Sequence, residues 1–323
     1  MILIATDEAG YGPKLGPLVV TASVWEVPDT RVVAETIADA FTVISNPVLV
    51  DGLRIKVDDS KAVFHPKSAG KKGSVGYLKL ERVTQAGCLW CRLAGERLAI
   101  ANDLAGPDKD SIGSTPWLNA FDQETIETDP GKELVNHWQQ GKAKLLWIRS
   151  RVITAKAFNR FCSAGMNKSD LLTETSLHLV KLALDQRTLT QNQTVAVFCD
   201  RHGGRRYYAG PLQSAFDGSL VQVIDESKVE SSYRVPYEDG DFTIRFTVKG
   251  DSFTPVAFSS IVAKYLREKA MESLNAYFAH RHTESEPLCP TAGYPVDADR
   301  FLKDIAPIIR RERIERDQLI RDR

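Results

Sequence analysis

The sequence predicts an α/β fold, and three observations carry the prediction. Residues 194–199 (TVAVFC) form a near-continuous apolar run, the pattern of a central strand buried on both faces. Residues 2–6, 17–25, 145–154, 220–225 and 242–249 read as further strands. Between them, 31–42, 78–104 and 170–186 show the three-to-four spacing of helices. The 323 residues carry 43% hydrophobic and 26% charged side chains, the balance of a soluble globular chain forming one large domain or two ordinary ones. Lys+Arg and Asp+Glu stand at 42 each, which argues against a generally basic nucleic-acid-coating protein. It leaves room for a local basic track beside an acidic site. No apolar run approaches the ~18 residues of a membrane span, and the first residues lack a basic stretch and long apolar core of a signal peptide. Five scattered cysteines fit reduced thiols, so a cytoplasmic location and no membrane partner are expected.

In chain order, residues 2–6 lead into Asp7-Glu8 and the turn-forming Ala9-Gly10-Tyr11-Gly12-Pro13. Ionised carboxylates at the end of a buried strand need a partner or a metal ion; the other reading is a solvated hairpin turn. A brief strand over 54–57 ends at the polar loop Asp58-Asp59-Ser60-Lys61. From Ser60 to Leu80 there are five lysines and no acid, either a flexible surface loop or one facing nucleic acid. In 78–104 the helical spacing runs through Leu80, Val83, Gly87, Trp90 and Ala94. Cys88 and Cys91 there form a lone CxxC with no second pair for zinc, so buried helix cysteines are expected. Residues 108–126 read as loop and 131–140 as a short helix.

Ser169 is the expected N-cap of the 170–186 helix, with Leu172, Ser176, Leu179 and Ala183 on its buried side and His178 packed or exposed rather than a ligand. The central strand ends at Asp200, before the basic and aromatic run Arg201-His202-Gly203-Gly204-Arg205-Arg206-Tyr207-Tyr208. An acid at that place, with cations following, suits a metal site that handles phosphate. Residues 226–241 are polar and read as irregular. After the 242–249 strand, Asp251 falls between a strand end and a helix start, where it can point at Asp7. Thr254 is the expected N-cap of that helix, Pro255 suits its first turn, and the small residues Ala257, Ser260 and Ala263 allow close approach to the sheet. Residues 310–323, with six arginines and four acids, read as a solvated terminal helix.

Four motifs, in order, resemble type 2 ribonuclease H (ribonuclease HII). They are Asp7-Glu8-Ala9-Gly10-x-Gly12-Pro13 with Gly16-Pro17, Asp59-Ser60-Lys61, the run from Lys249-Gly250-Asp251-Ser252 to Ser259-Ser260-Ile261-Val262-Ala263-Lys264, and Gly293-Tyr294-Pro295. The resemblance implies a ribonuclease H-like mixed five-stranded sheet with helices on both faces. It divides the chain into a catalytic domain over 1–65 and 145–285, an inserted subdomain over 66–144 that matches nothing in the family, and a small helical C-terminal part over 286–323. It also implies metal-dependent cleavage of the RNA strand of RNA/DNA hybrids, or at ribonucleotides embedded in duplex DNA, leaving 3′-hydroxyl and 5′-phosphate ends.

Asp7, Glu8, Asp200 and Asp251 would be the catalytic carboxylates. Read from the residues alone, four acids at predicted strand ends suit two divalent ions, Mg²⁺ or Mn²⁺, since both take oxygen ligands. By resemblance, Gly10, Tyr11 and Gly12 would touch the 2′-hydroxyl and Tyr294 the RNA–DNA junction, with Ser60, Lys61 and Lys249 near phosphates. Position 11 departs from the family, which carries Arg there. That departure and the insert keep open a nuclease of this fold acting on another nucleic acid, and a non-catalytic nucleic-acid-binding module is the remaining alternative.

Overall fold

The computed structural model describes residues 1–28, 34–58, 74–93, 95–186, 193–237 and 240–322. Seven strands make one mixed sheet. They are β1 (Ile2–Ala9), β2 (Leu18–Glu26), β3 (Lys144–Ile153), β4 (Val195–Asp200), β5 (Gln222–Glu226), β6 (Glu230–Tyr237) and β7 (Gly240–Thr247). Their spatial order is β3-β2-β1-β4-β7-β6-β5. β4 runs parallel to both β1 and β7, and the remaining neighbours are antiparallel. The sheet therefore has two strands more than the five expected. The segment read as irregular forms β6; its buried Ser231 and Ser232 break the apolar alternation by which a strand is read from sequence. Ser231 can be buried because its Oγ donates to the Arg206 carbonyl at 2.7 Å.

The helices that cover this sheet include α1 (Val75–Trp90), α2 (Ala155–Ser163), α3 (Lys168–Asp185), α4 (Ala209–Ala215), α5 (Thr254–Arg281) and α6 (Pro295–Asp304). Strand alternation sends Leu3 and Ala5 of β1 to a core shared with α5 and α1, and Ile2 and Ile4 to one shared with α3 and α4. β1 is thus buried on both faces, and each buried aliphatic contributes about 1.5–3 kcal/mol. Ala257, Ser260 and Ala263 are buried as expected, and α5 is also held to the sheet by polar contacts. Ser259 Oγ donates to the Ala5 carbonyl at 3.0 Å and lies 2.9 Å from Ser23 Oγ.

Local boundaries differ from the sequence expectation in four places. The helix expected over 78–104 stops at Trp90: Arg92 turns to φ 52° and the Leu93 N–H bonds back to the Cys88 carbonyl at 3.0 Å, a Schellman-type stop. Further along, Arg97–Ala99 pairs with Thr125–Glu127, which comes from the stretch read as loop. The cap of α3 is Asn167, not Ser169; Asn167 Oδ1 accepts from the Ser169 and Asp170 N–H groups while Asp170 returns a bond to the Asn167 N–H. At the start of α5, Phe253 holds the cap position, with no side-chain bond, and Thr254 and Pro255 fill the first turn. No helix among the described residues is long and apolar enough to cross a membrane.

The described residues of the 66–144 stretch pack as part of the main core. Leu80, Leu98, Trp117 and Trp138 belong to one apolar cluster with Trp25 and Phe258. A short turn presses directly on α1, where a Cβ at Gly131 would lie 2.6 Å from the Ala86 Cα. Backbone cannot yield as a flexible side chain can. Gly131→Ala is therefore expected to lower stability by about 1–3 kcal/mol, the usual range for overpacking, read as a fall in the urea midpoint at unchanged slope.

Candidate metal centre

The parallel register between β1 and β4 builds the site. Its last pair is Thr6 with Cys199. Asp7 and Asp200 each occupy the next position, so neighbouring parallel strands, about 4.8 Å apart, present two acids at one level. The strand continues through the pair to Ala9 instead of ending before it, and Asp7 and Glu8 face Thr21 and Val20 of β2. Asp7, Glu8 and Asp200 bring oxygen atoms within 4.8 Å of one another. At that spacing two unit charges repel by about 3–4 kcal/mol at an effective dielectric near 20.

Asp7 is only 7% exposed. Burial first, then the charges of Glu8 and Asp200, hold its carboxyl well above the usual carboxylate range, against weaker opposing bonds from the Ser260 hydroxyl and the Glu8 N–H. The Glu8 N–H reaches Asp7 Oδ1 at 2.7 Å. Asp200 is fixed from the other side, its Oδ1 accepting the Gly250 N–H at 2.7 Å. The donor set is all carboxylate oxygen, a fit for a hard divalent ion such as Mg²⁺ or Mn²⁺. A cation would relieve the repulsion that now acts on Asp7.

The other expected residues divide. Asp251 lies half-buried in the short turn Gly250–Ser252 between β7 and α5, one residue from the group that fixes Asp200, but it is not in the close cluster of three. Lys249 is exposed and left-handed at φ 58°. Gly10, Tyr11 and Gly12 follow directly on the carboxylates. Gly10 has φ 88°, and a Cβ there would meet the Pro17 carbonyl at 2.6 Å, so the turn admits no side chain. Tyr294, 47% exposed, follows Gly293, whose carbonyl accepts the Lys14 and Leu15 N–H groups of the same turn at 2.8 and 3.2 Å. Ser60 and Lys61 lie outside the described residues. Cys88 and Cys91 are free thiols, and burial pushes the Cys91 thiol up to about 11, away from metal-binding thiolate chemistry.

Two groups under the turn were not found from sequence. Arg267 of α5 is 1% exposed and donates to the Ala292 carbonyl at 3.0 Å. Arg321, expected in a solvated helix, is 3% exposed. It donates to the Pro13 carbonyl, its own N–H bonds the Lys14 carbonyl, and its guanidinium lies 5.1 Å from the Phe158 ring. Burial and the nearby Arg267 charge bring Arg321 down to about 9. Helical spacing gave a hint for Arg267 alone, since it lies two turns beyond Ser260 on the same face of α5.

No protein-family model matches the chain, and no curated protein matches its sequence. Solved structures do. A Bst RNase HIII determined with Mn²⁺ is 15% identical, with a TM-score of 0.42; the match covers 99% of this chain and 66% of that one, so the chain spans just under two thirds of its length. RNase HII of Archaeoglobus fulgidus, in a complex with PCNA, is 14% identical over 100% of this chain and 95% of that one, with a TM-score of 0.44. Ribonuclease H2 of Pyrococcus horikoshii OT3 is 14% identical over 99% and 92%, with a TM-score of 0.43.

The raised Asp7 carboxyl has a measurable sign. The unfolded chain loses this proton at the ordinary carboxylate pH, whereas the folded, metal-free chain keeps it to higher pH. Above the ordinary value the folded state therefore binds more protons, and stability falls as pH rises, until the folded group also ionises. Asp7→Asn removes the penalty. At neutral pH the metal-free variant is expected to melt above the wild type, while Mn²⁺ raises the melting temperature of the wild type and leaves the variant nearly unmoved.

Proposed function

We propose that the chain is a divalent-metal-dependent endonuclease. It hydrolyses the RNA strand of RNA/DNA hybrids, or the strand at ribonucleotides embedded in duplex DNA, and leaves 3′-hydroxyl and 5′-phosphate ends. The observation that carries the reading is the gathering of Asp7, Glu8 and Asp200, from two neighbouring strands, with oxygen atoms within 4.8 Å of one another. A protein that only bound nucleic acid would gain nothing from three acids turned toward phosphate.

Paired Mg²⁺ or Mn²⁺ ions would supply an activated water and stabilise the leaving oxygen. The chain's own part is to hold and orient. Asp7, Glu8 and Asp200 offer the donor oxygens, and we assign Asp251 as the fourth. Ser260 and the Gly250 N–H set the orientation of Asp7 and Asp200. The Gly10-Tyr11-Gly12 backbone and the exposed ring of Tyr294 form the wall assigned to the ribose. The 2′-hydroxyl there is what separates RNA from DNA. Ser60, Lys61 and Lys249 are assigned to phosphates. The substrate assignment rests on the four sequence motifs, and the free cysteines support a reducing, cytoplasmic setting.

The test is a duplex DNA carrying one ribonucleotide, assayed beside a full hybrid with and without Mn²⁺. Cleavage at the ribonucleotide is expected only with metal. Asp7→Asn and Asp200→Asn should each slow it by more than about 100-fold, the upper end of what losing an outer-shell partner costs. Cleavage of structured RNA or plain DNA alone would move the site to another nucleic acid, which the Tyr11 departure motivates. Tight hybrid binding with no cleavage and no metal requirement would leave only a binding module.

A further inference from the structure

Lys168 is placed against its own stability. It is the first residue of α3, an 18-residue helix capped by Asn167. The positive end of the helix dipole disfavours a cation there and favours an acid. The local acid, Asp170, is already engaged, ion-paired with Arg205 and closing the capping box. Lys168 is exposed and, among the described residues, makes no ion pair with a carboxylate. Its ammonium instead sits 4.7 Å from the centre of the Tyr11 ring.

Tyr11 ties that ammonium to the metal centre. It is three residues beyond Glu8, whose charge acts on its hydroxyl, and the hydroxyl bonds the Ser169 side chain. The same hydroxyl lies against Gly203, three residues beyond Asp200. The loop after Asp200 is in turn sewn to the start of α3: Ser169 Oγ donates to the His202 carbonyl at 3.1 Å, and Arg205 Nε reaches Ser169 Oγ at 3.2 Å. The two loops that leave the carboxylates thus meet the first turn of α3 at Tyr11, and Lys168 is the uncommitted cation at that meeting point.

We infer that Lys168, steered by the face of Tyr11, is a phosphate contact for the strand bound at Asp7, Glu8 and Asp200. An ammonium over an aromatic ring keeps its charge and a fixed direction while remaining open to an anion. The inference rests on the proposed nuclease reading and adds to it a residue that positions the substrate strand.

The experiment measures KM and kcat for the single-ribonucleotide duplex with Mn²⁺, across a salt series, for wild type, Lys168→Met and Lys168→Arg. Loss of one phosphate contact should reduce the slope of log KM against log salt by about 0.7–0.9. We expect Lys168→Met to raise KM about tenfold at low salt, with that loss of slope and kcat little changed, and Lys168→Arg to restore both. Removing a cation from the first turn does not weaken α3, so a folding defect would not mimic this result. An unchanged KM and salt slope in Lys168→Met overturns the inference, as does a KM rise with no change of slope. If the wild type itself fails to cleave, the nuclease reading falls; if it cleaves and the Met variant matches it, only the role of Lys168 falls.

Discussion

Two parallel strands in register, each carrying an acid at the position after their last shared pair, set Asp7 and Asp200 side by side. The rest of the site follows from that constraint. Like charges at this range repel by several times the thermal energy, and Asp7 is buried while Glu8 and Asp200 are half-buried. Folding tolerates the arrangement by keeping the Asp7 carboxyl reluctant to ionise. Such a group is poised for a cation, because binding one removes both the repulsion and the cost of desolvation.

The surrounding scaffold serves mainly to keep that geometry. Helix α5 approaches β1 closely because its facing residues are small, and it brings Ser259 to the Ala5 carbonyl and Ser260 to Asp7. The turn before α5 brings the Gly250 N–H to Asp200. On the other side of the carboxylates the Gly10–Leu15 turn is supported from below by Arg267 and by the segment containing Arg321. Two buried guanidinium groups so close together are costly, which is reflected in the lowered Arg321 value. Their bonds to backbone carbonyls of the turn are the compensating gain. The turn that faces the proposed ribose is therefore fixed by residues some 250 to 300 positions away.

How far this could be read from the sequence depended on the kind of signal. Buried strands with a near-continuous apolar run, such as those that carry Asp7 and Asp200, announce themselves in the sequence, and the carboxylates that follow the apolar run stand out for the same reason. β6 was not, since its buried Ser231 is satisfied by a backbone bond that periodicity cannot register. The stop of α1 at Trp90 rests on Arg92 taking a conformation usually left to glycine, and no residue type there signals it. At the start of α3, Asn167 and Ser169 are both good caps, and only the reciprocal bond from Asp170 decides between them. Asp251 was placed correctly between a strand and a helix, yet short turns set side-chain direction, and the close cluster contains three acids. Arg321 carried no signal at all; a charged residue among other charges reads as solvated until the packing on Phe158 and Pro13 is seen.

The central claim is that Asp7, Glu8 and Asp200 act as one cation-binding unit. The most direct measurement is an anomalous difference map from crystals of this chain grown with Mn²⁺. A strong peak is expected between the three carboxylates, within ordinary coordination distance of Asp7 and Asp200. A map with no peak there, or with manganese bound only at surface acids elsewhere, would contradict it.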